Sequence, residues 1–144
     1  MQRATPYLNF PGETEAAFAF YRNVFGGEYA GVIRYRDMGM DGDDAEADLI
    51  AHVSLPIARD TVLMGSDVSE AGASQHRVGN NVQIHLAADD ADEARRVFAA
   101  LSDGGTVTMP LERTAWAALF GACTDRYGIG WMVDFTGEVE FGAA

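Results

Sequence analysis

The side chains that could carry chemistry in this sequence are few and widely spaced. There are three histidines, His52, His76 and His85, and one cysteine, Cys123. A single cysteine excludes a disulfide framework and a cysteine-based zinc site. Imidazoles act as general acids or bases near neutral pH, or ligate metals. His76 falls in a polar loop, whereas His52 and His85 fall on strand-like segments, where each is also compatible with an ordinary core histidine.

The familiar catalytic and nucleotide-binding motifs are missing from the sequence. No GxGxxG follows a strand, and neither GxxxxGK[ST] nor GxSxG occurs. The acidic loop DMGMDGDDAEAD has Ala45 and Glu46 where, counting from Asp41, a calcium loop needs an oxygen ligand and a glycine. A solvated loop is therefore favoured, and the sequence predicts no cofactor.

The composition and net charge of the chain limit the kinds of molecule that it could bind. The chain has 144 residues, enough for one domain, and a net charge of −12. Such an acidic surface repels nucleic acid and anionic membranes. No apolar run approaches the roughly twenty residues that span a bilayer, and the N-terminus lacks the apolar stretch of a secretion signal. We therefore expect a cytoplasmic protein that binds a small molecule.

The elements that must position these side chains occur in the same order twice. In each half a strand precedes an amphipathic helix, and three strands follow it. The first helix, 13–25, carries the stripe Ala17, Phe20, Tyr21 and Val24, and the second carries Ala94, Val97, Phe98 and Leu101. Asp90 with Glu93 predicts an N-cap for the second helix. The predicted strands of the first half are 7–10, 28–36, 49–57 and 61–66, and those of the second are 81–86, 106–109, 116–124 and 131–135.

This repeat predicts the fold class. It is α+β, with two tandem βαβββ modules, about 1–68 and about 79–136, in one domain that covers 1–144. Neither half can bury both faces of its own sheet, so we expect the halves to pack around a shared interior. The alternative is that two common helix stripes coincide by chance.

Strand alternation then predicts which side chains face away from the helices. If Val82, Ile84 and Leu86 pack under the second helix, then Asn81, Gln83 and His85 face the other way. By the same reasoning Tyr7 and Asn9 oppose Leu8 and Phe10. The predicted pocket is lined by Tyr7, Asn9, His52, Gln83, His85, Trp116 and Phe120. The candidates for catalysis are His52, His85 and Asp67, and the alternative is ordinary sheet packing.

Several short segments together resemble one known family. They are Tyr7-Leu8-Asn9-Phe10, Val24-Phe25-Gly26-Gly27, Leu63-Met64-Gly65-Ser66-Asp67, Gly79-Asn80-Asn81, Phe120-Gly121 and Thr124-Asp125. The sequence is similar to the PhnB-like branch of the vicinal oxygen chelate superfamily, which includes glyoxalase I, bleomycin-resistance proteins and extradiol dioxygenases. The resemblance covers nearly the whole chain. It implies a cup-shaped mixed sheet of two βαβββ modules and a homodimer, for which Trp116 and Phe141 are candidate exposed aromatic residues.

The resemblance also implies where a family metal would be bound. Four strand positions, typically His, Gln or Glu in metal-using relatives, fall on Thr5, Met64, Asn81 and Met132. Thioethers suit only soft metals, so we predict no bound divalent ion and assign Met64 and Met132 to the ligand pocket. The alternatives are a metal-dependent glyoxalase- or dioxygenase-type lyase or oxidoreductase, and an antibiotic-sequestering resistance protein. The methyltransferase name used in this branch has no support in the residues.

Overall fold

The computed structural model describes residues 1–140 as two compact units, with the division between Arg77 and Val78. Phe141, which was expected to be exposed, lies outside the described residues. Each unit has the order βαβββ and forms one four-stranded mixed sheet. The α+β class and the tandem modules predicted from the sequence are thereby confirmed.

Unit one contains β1 to β4 with the longer helix α1. Its sheet has the order β1-β4-β3-β2, in which β1 and β4 are parallel and the other pairs are antiparallel. The elements are β1 Tyr7–Phe10, α1 Thr14–Phe25, β2 Gly31–Arg34, a 3-10 helix Tyr35–Met38, β3 Ile50–Ala58, β4 Thr61–Asp67 and a short helix α2 Glu70–Ala73.

Unit two repeats this arrangement. Its sheet has the order β5-β8-β7-β6, with β5 and β8 parallel. The elements are β5 Gln83–Ala87, α3 Ala91–Ser102, β6 Thr106–Glu112, β7 Leu119–Thr124 and β8 Gly130–Phe135. In residues 1–140 no helix is long and apolar enough to cross a membrane.

The helix of unit one packs on its sheet through a stripe that differs from the predicted one. Phe18 is buried, whereas Phe20 is only half-buried. A Cβ on Gly65 would lie 2.7 Å from the Phe18 ring, so this glycine leaves the space that the ring fills. Placing Phe20 in the stripe was therefore wrong, because the aromatic ring that packs against β4 is that of Phe18, two residues earlier.

The helix of unit two agrees with the sequence prediction. Ala94, Val97, Phe98 and Leu101 are all buried. Asp90 caps the helix, since its Oδ1 accepts the Glu93 N–H at 2.8 Å. Helix α3 is therefore specified by local residues.

Several element boundaries differ from the predicted ones. Strand β2 ends at Arg34 because the Asp37 carboxylate accepts the Arg34 N–H at 2.8 Å and a 3-10 helix follows. Strand β7 begins at Leu119 because Thr114 Oγ1 accepts the Ala117 N–H at 3.2 Å in a preceding turn. Val82 was expected under the second helix, but it precedes β5 and is 76% exposed.

Candidate functional site

Each sheet has one face covered by its long helix, and we call the opposite face the far face. Strand pairing places Met64 level with both Tyr7 and Ser54, so these three side chains share the far face of unit one. Alternation adds Asn9, His52 and Ser66. The sequence-predicted residues Tyr7, Asn9, His52 and Met64 therefore lie together, whereas Ser54 and Ser66 were not in the predicted site.

A chain of polar contacts runs across the far face of unit one. Tyr7 Oη lies 3.3 Å from His52 Nδ1, and His52 Nε2 lies 3.0 Å from Ser54 Oγ. A neutral imidazole has one donor and one acceptor nitrogen, so both nitrogens of His52 have hydroxyl partners. Ser66 Oγ donates to Asn9 Oδ1 at 3.4 Å. The far face of unit one therefore offers neutral hydrogen-bond donors and acceptors.

Asp67 was a candidate for catalysis, and its surroundings give it a structural role. It is 4% exposed and shares the helix-covered face with Leu63 and Gly65. Its Oδ1 accepts the Thr14 N–H at 3.0 Å and its Oδ2 accepts the Ile50 N–H at 2.8 Å. The carboxylate therefore caps α1 and supports the start of β3, and it does not lie on the far face with His52.

The far face of unit two combines aromatic and ionisable side chains. Strand pairing places Met132 level with His85, and Asp134 level with Phe120. Gln83 joins them by alternation along β5. Trp116 meets the Phe120 ring edge-on, with 5.4 Å between ring centroids, and Trp116 is 41% exposed. The predicted residues Gln83, His85, Trp116, Phe120 and Met132 therefore lie on or beside one face.

The strongest ionisable contact on this face is between His85 and Asp134. His85 Nε2 lies 2.7 Å from Asp134 Oδ1, with the two side chains 54% and 11% exposed. The alignment falls short of a hydrogen bond, so the buried Oδ1 has no hydrogen-bond partner, while Oδ2 accepts from Thr136 Oγ1 at 3.3 Å. Asp134 was missing from the predicted site. Its position two residues after Met132 on the same strand was the signal that could have found it.

The positions implied for a family metal provide a poor donor set. Thr5 and Asn81 precede β1 and β5, while the residues level with Met64 and Met132 are Tyr7 and His85. No group of three His, Cys, Asp or Glu side chains in residues 1–140 is placed to hold a metal ion. Only the imidazole of His85 is a common metal ligand, and thioethers and a phenol are poor ligands for hard divalent ions, so these residues do not fit the family metal.

Comparison with known proteins identifies relatives over nearly the full length of the chain. The family model for the Glyoxalase/Bleomycin resistance protein/Dioxygenase superfamily matches residues 7–133. Protein YjdN of Escherichia coli K12 is 28% identical in an alignment of 140 residues that covers 90% of this chain and 92% of that protein.

Two solved structures are similar to this one. Protein PA1353 from Pseudomonas aeruginosa is 36% identical, with a TM-score of 0.78 over 94% of this chain and 98% of that chain. The PhnB protein from Bacillus cereus is 23% identical, with a TM-score of 0.76 over 93% of this chain and 99% of that chain. The second likeness concerns the fold alone.

Proposed function

The chain belongs to the Glyoxalase/Bleomycin resistance protein/Dioxygenase superfamily, and on that premise we propose that it binds a small aromatic or apolar molecule on the far face of unit two. The observation that carries the proposal is the exposed Trp116 against Phe120, beside the His85–Asp134 pair. Binding sites for small molecules combine apolar walls with a few placed polar groups.

The aromatic pair supports an apolar ligand. Trp116 leaves 41% of its surface to water, and covering apolar area is favourable by about 25 cal/mol per Å². The ring of Trp116 provides a flat surface for an apolar group, and Phe120 holds that ring in place by its edge-on contact. A polar group on the ligand would reach the His85–Asp134 pair, which fixes its orientation.

A second function, metal-free proton transfer, is favoured by the His85–Asp134 contact alone. A carboxylate beside an imidazole stabilises the ring as it takes up a proton, which is what a general base needs. The reaction would be a lyase- or isomerase-type step on the molecule bound beside Trp116. The donor set at the family metal positions favours a reaction without a divalent ion.

Three further proposals concern the setting of this function. We propose that the chain belongs to the PhnB-like branch, acts in the cytoplasm and forms a homodimer. The dimer is supported by β6, an edge strand that leaves Val107 and Met109 47% and 43% exposed. Exposed apolar edge strands pair readily with other chains.

Tryptophan fluorescence tests the binding proposal directly. The chain has two tryptophans, and Trp131 is fully buried, with its Nε1–H donated to Asp125 at 2.8 Å. Trp116 is therefore the reporter that a bound molecule would shield from iodide quenching. We expect members of an aromatic metabolite panel to shield it, and Trp116→Phe to lose the response.

Matched variants separate binding at this face from other effects. His85→Gln should weaken binding, whereas Val82→Ala, an exposed apolar change in the same unit, should leave it unchanged. The binding proposal is refuted if no panel member shields Trp116, or if His85→Gln and Val82→Ala bind alike. Turnover that survives in His85→Gln would refute the proton-transfer function.

A further inference from the structure

Unit one contains a cleft on the helix-covered side of its sheet, opposite its own far face. It lies between α1 and β2 and encloses about 180 Å³. Its walls are mainly apolar and include Phe18, Val32 and Val53. A cavity of about 150 Å³ with such a lining holds a benzene molecule, so this cleft has room for one ring or a short chain.

An arginine–carboxylate pair stands at this cleft. Arg34 Nη2 donates to Glu15 Oε1 at 2.7 Å and Arg34 Nη1 donates to Glu15 Oε2 at 3.1 Å. Arg34 Nη1 also donates to the Asp48 carbonyl oxygen at 2.7 Å, which holds the guanidinium in place independently of Glu15. The Glu15 side chain is 68% exposed and can move into water. The pairing with Arg34 holds the pKa of Glu15 below its usual value.

The same cleft is lined by a buried hydroxyl without a partner. Thr14 is fully buried, and its Oγ1 makes no hydrogen bond within the described residues. A buried polar atom left unpaired is unfavourable, and Thr14 is among the residues that line the cleft. This observation is independent of the Arg34–Glu15 pair.

We propose that this cleft binds a small monocarboxylate that carries a single aromatic ring or a short apolar chain. The carboxylate replaces Glu15 on the guanidinium fork of Arg34, and the apolar part fills the space beside Phe18 and Val53. Guanidinium groups recognise carboxylates by two parallel hydrogen bonds, which Glu15 already shows here. This site is built from residues of unit one alone, and the proposal does not depend on the proposed function.

Benzoate is the probe, with benzyl alcohol as its neutral counterpart and acetate as an anion without a ring. In titrations followed by amide NMR, benzoate should shift the amide signals of Val32 and Val53, whereas acetate should leave them unchanged. Glu15→Gln removes the competing carboxylate and should tighten benzoate binding at least threefold. Arg34→Met should weaken it at least tenfold, because it removes the paired hydrogen bonds.

Two more variants distinguish a loss of benzoate binding from a loss of folding. Ala19→Leu adds bulk at an exposed position of α1 that lines the cleft, so it should weaken benzoate binding in a folded protein. Asp103→Asn breaks a comparable exposed pair with Arg126 in unit two and should change nothing. The proposal is overturned if benzoate fails to bind both the wild type and Glu15→Gln, if benzyl alcohol binds as well as benzoate, or if Ala19→Leu binds like the wild type.

Discussion

Replacing Asp67 should destabilise the protein far more than replacing any exposed acidic residue. Its carboxylate accepts the N–H groups of Thr14 and Ile50, at the start of α1 and of β3. All three residues are buried. Asp67→Ala therefore leaves two buried N–H groups without a partner, in a place that water does not reach.

The size of the effect follows from those two donors. Each unsatisfied buried N–H costs about 1–3 kcal/mol, so Asp67→Ala should lower the free energy of unfolding by about 4 kcal/mol. Asp67→Asn keeps one acceptor oxygen and turns an NH₂ group toward the other donor, so about half of that loss is expected. With a urea slope of about 2 kcal/mol/M, the alanine variant should unfold at about 2 M less urea.

Urea unfolding followed by far-UV circular dichroism measures both variants against Asp43→Ala. Asp43 is exposed, and its replacement should move the free energy of unfolding by about 0.5 kcal/mol or less. If Asp67→Ala unfolds at the same urea concentration as Asp43→Ala, the structural role assigned to Asp67 is wrong. If Asp67→Asn folds and added ligand still shields its Trp116 from iodide, the result would support the separation of Asp67 from the binding face.

Three other measurements test the cap of α3, the packing of Phe18 on β4 and the burial of Cys123. Asp90→Ala removes the α3 cap and should cost about 1 kcal/mol in urea unfolding; no loss would contradict the local cap. Gly65→Ala should cost about 1–3 kcal/mol, because its Cβ would lie 2.7 Å from the Phe18 ring, and wild-type stability would contradict that contact. Burial, with a smaller effect of Asp125, raises the pKa of Cys123 to about 11. The thiol ionises at lower pH in the unfolded chain than in the folded protein. The free energy of unfolding should therefore fall as pH rises from about 9 to 11, relative to Cys123→Ala. Equal pH profiles for the two proteins would contradict this effect of burial.

Much of the fold is readable from the sequence because its determinants are local. The stripe of α3 and the Asp90 cap lie within one short segment, and both were predicted as found. Helix α1 is different, since the Asp67 side chain on β4 accepts the N–H of its first residue, Thr14. A contact between residues 53 positions apart leaves no local signal.

The faces that the candidate side chains share were predictable as far as strand alternation reaches. Alternation correctly grouped Tyr7 with Asn9, and Gln83 with His85, on faces away from the helices. Alternation along β4 also places Asp67 on the same face as Leu63 and Gly65. That was enough to remove Asp67 from the candidates for catalysis. The Arg34–Glu15 pair joins a strand edge to a helix 19 residues away, which alternation does not detect.

The two units share a strand plan but present different chemistry on their far faces. His52 has hydroxyl neighbours at both ring nitrogens, from Tyr7 and Ser54. His85 has a mostly buried carboxylate 2.7 Å away, and the aromatic pair lies on β7 and in the turn before it, on the other side of β8. Hydroxyl groups can donate to or accept from an imidazole nitrogen, whereas a carboxylate only accepts. The proposed proton transfer would therefore take place in unit two, while the far face of unit one offers neutral hydrogen-bond donors and acceptors.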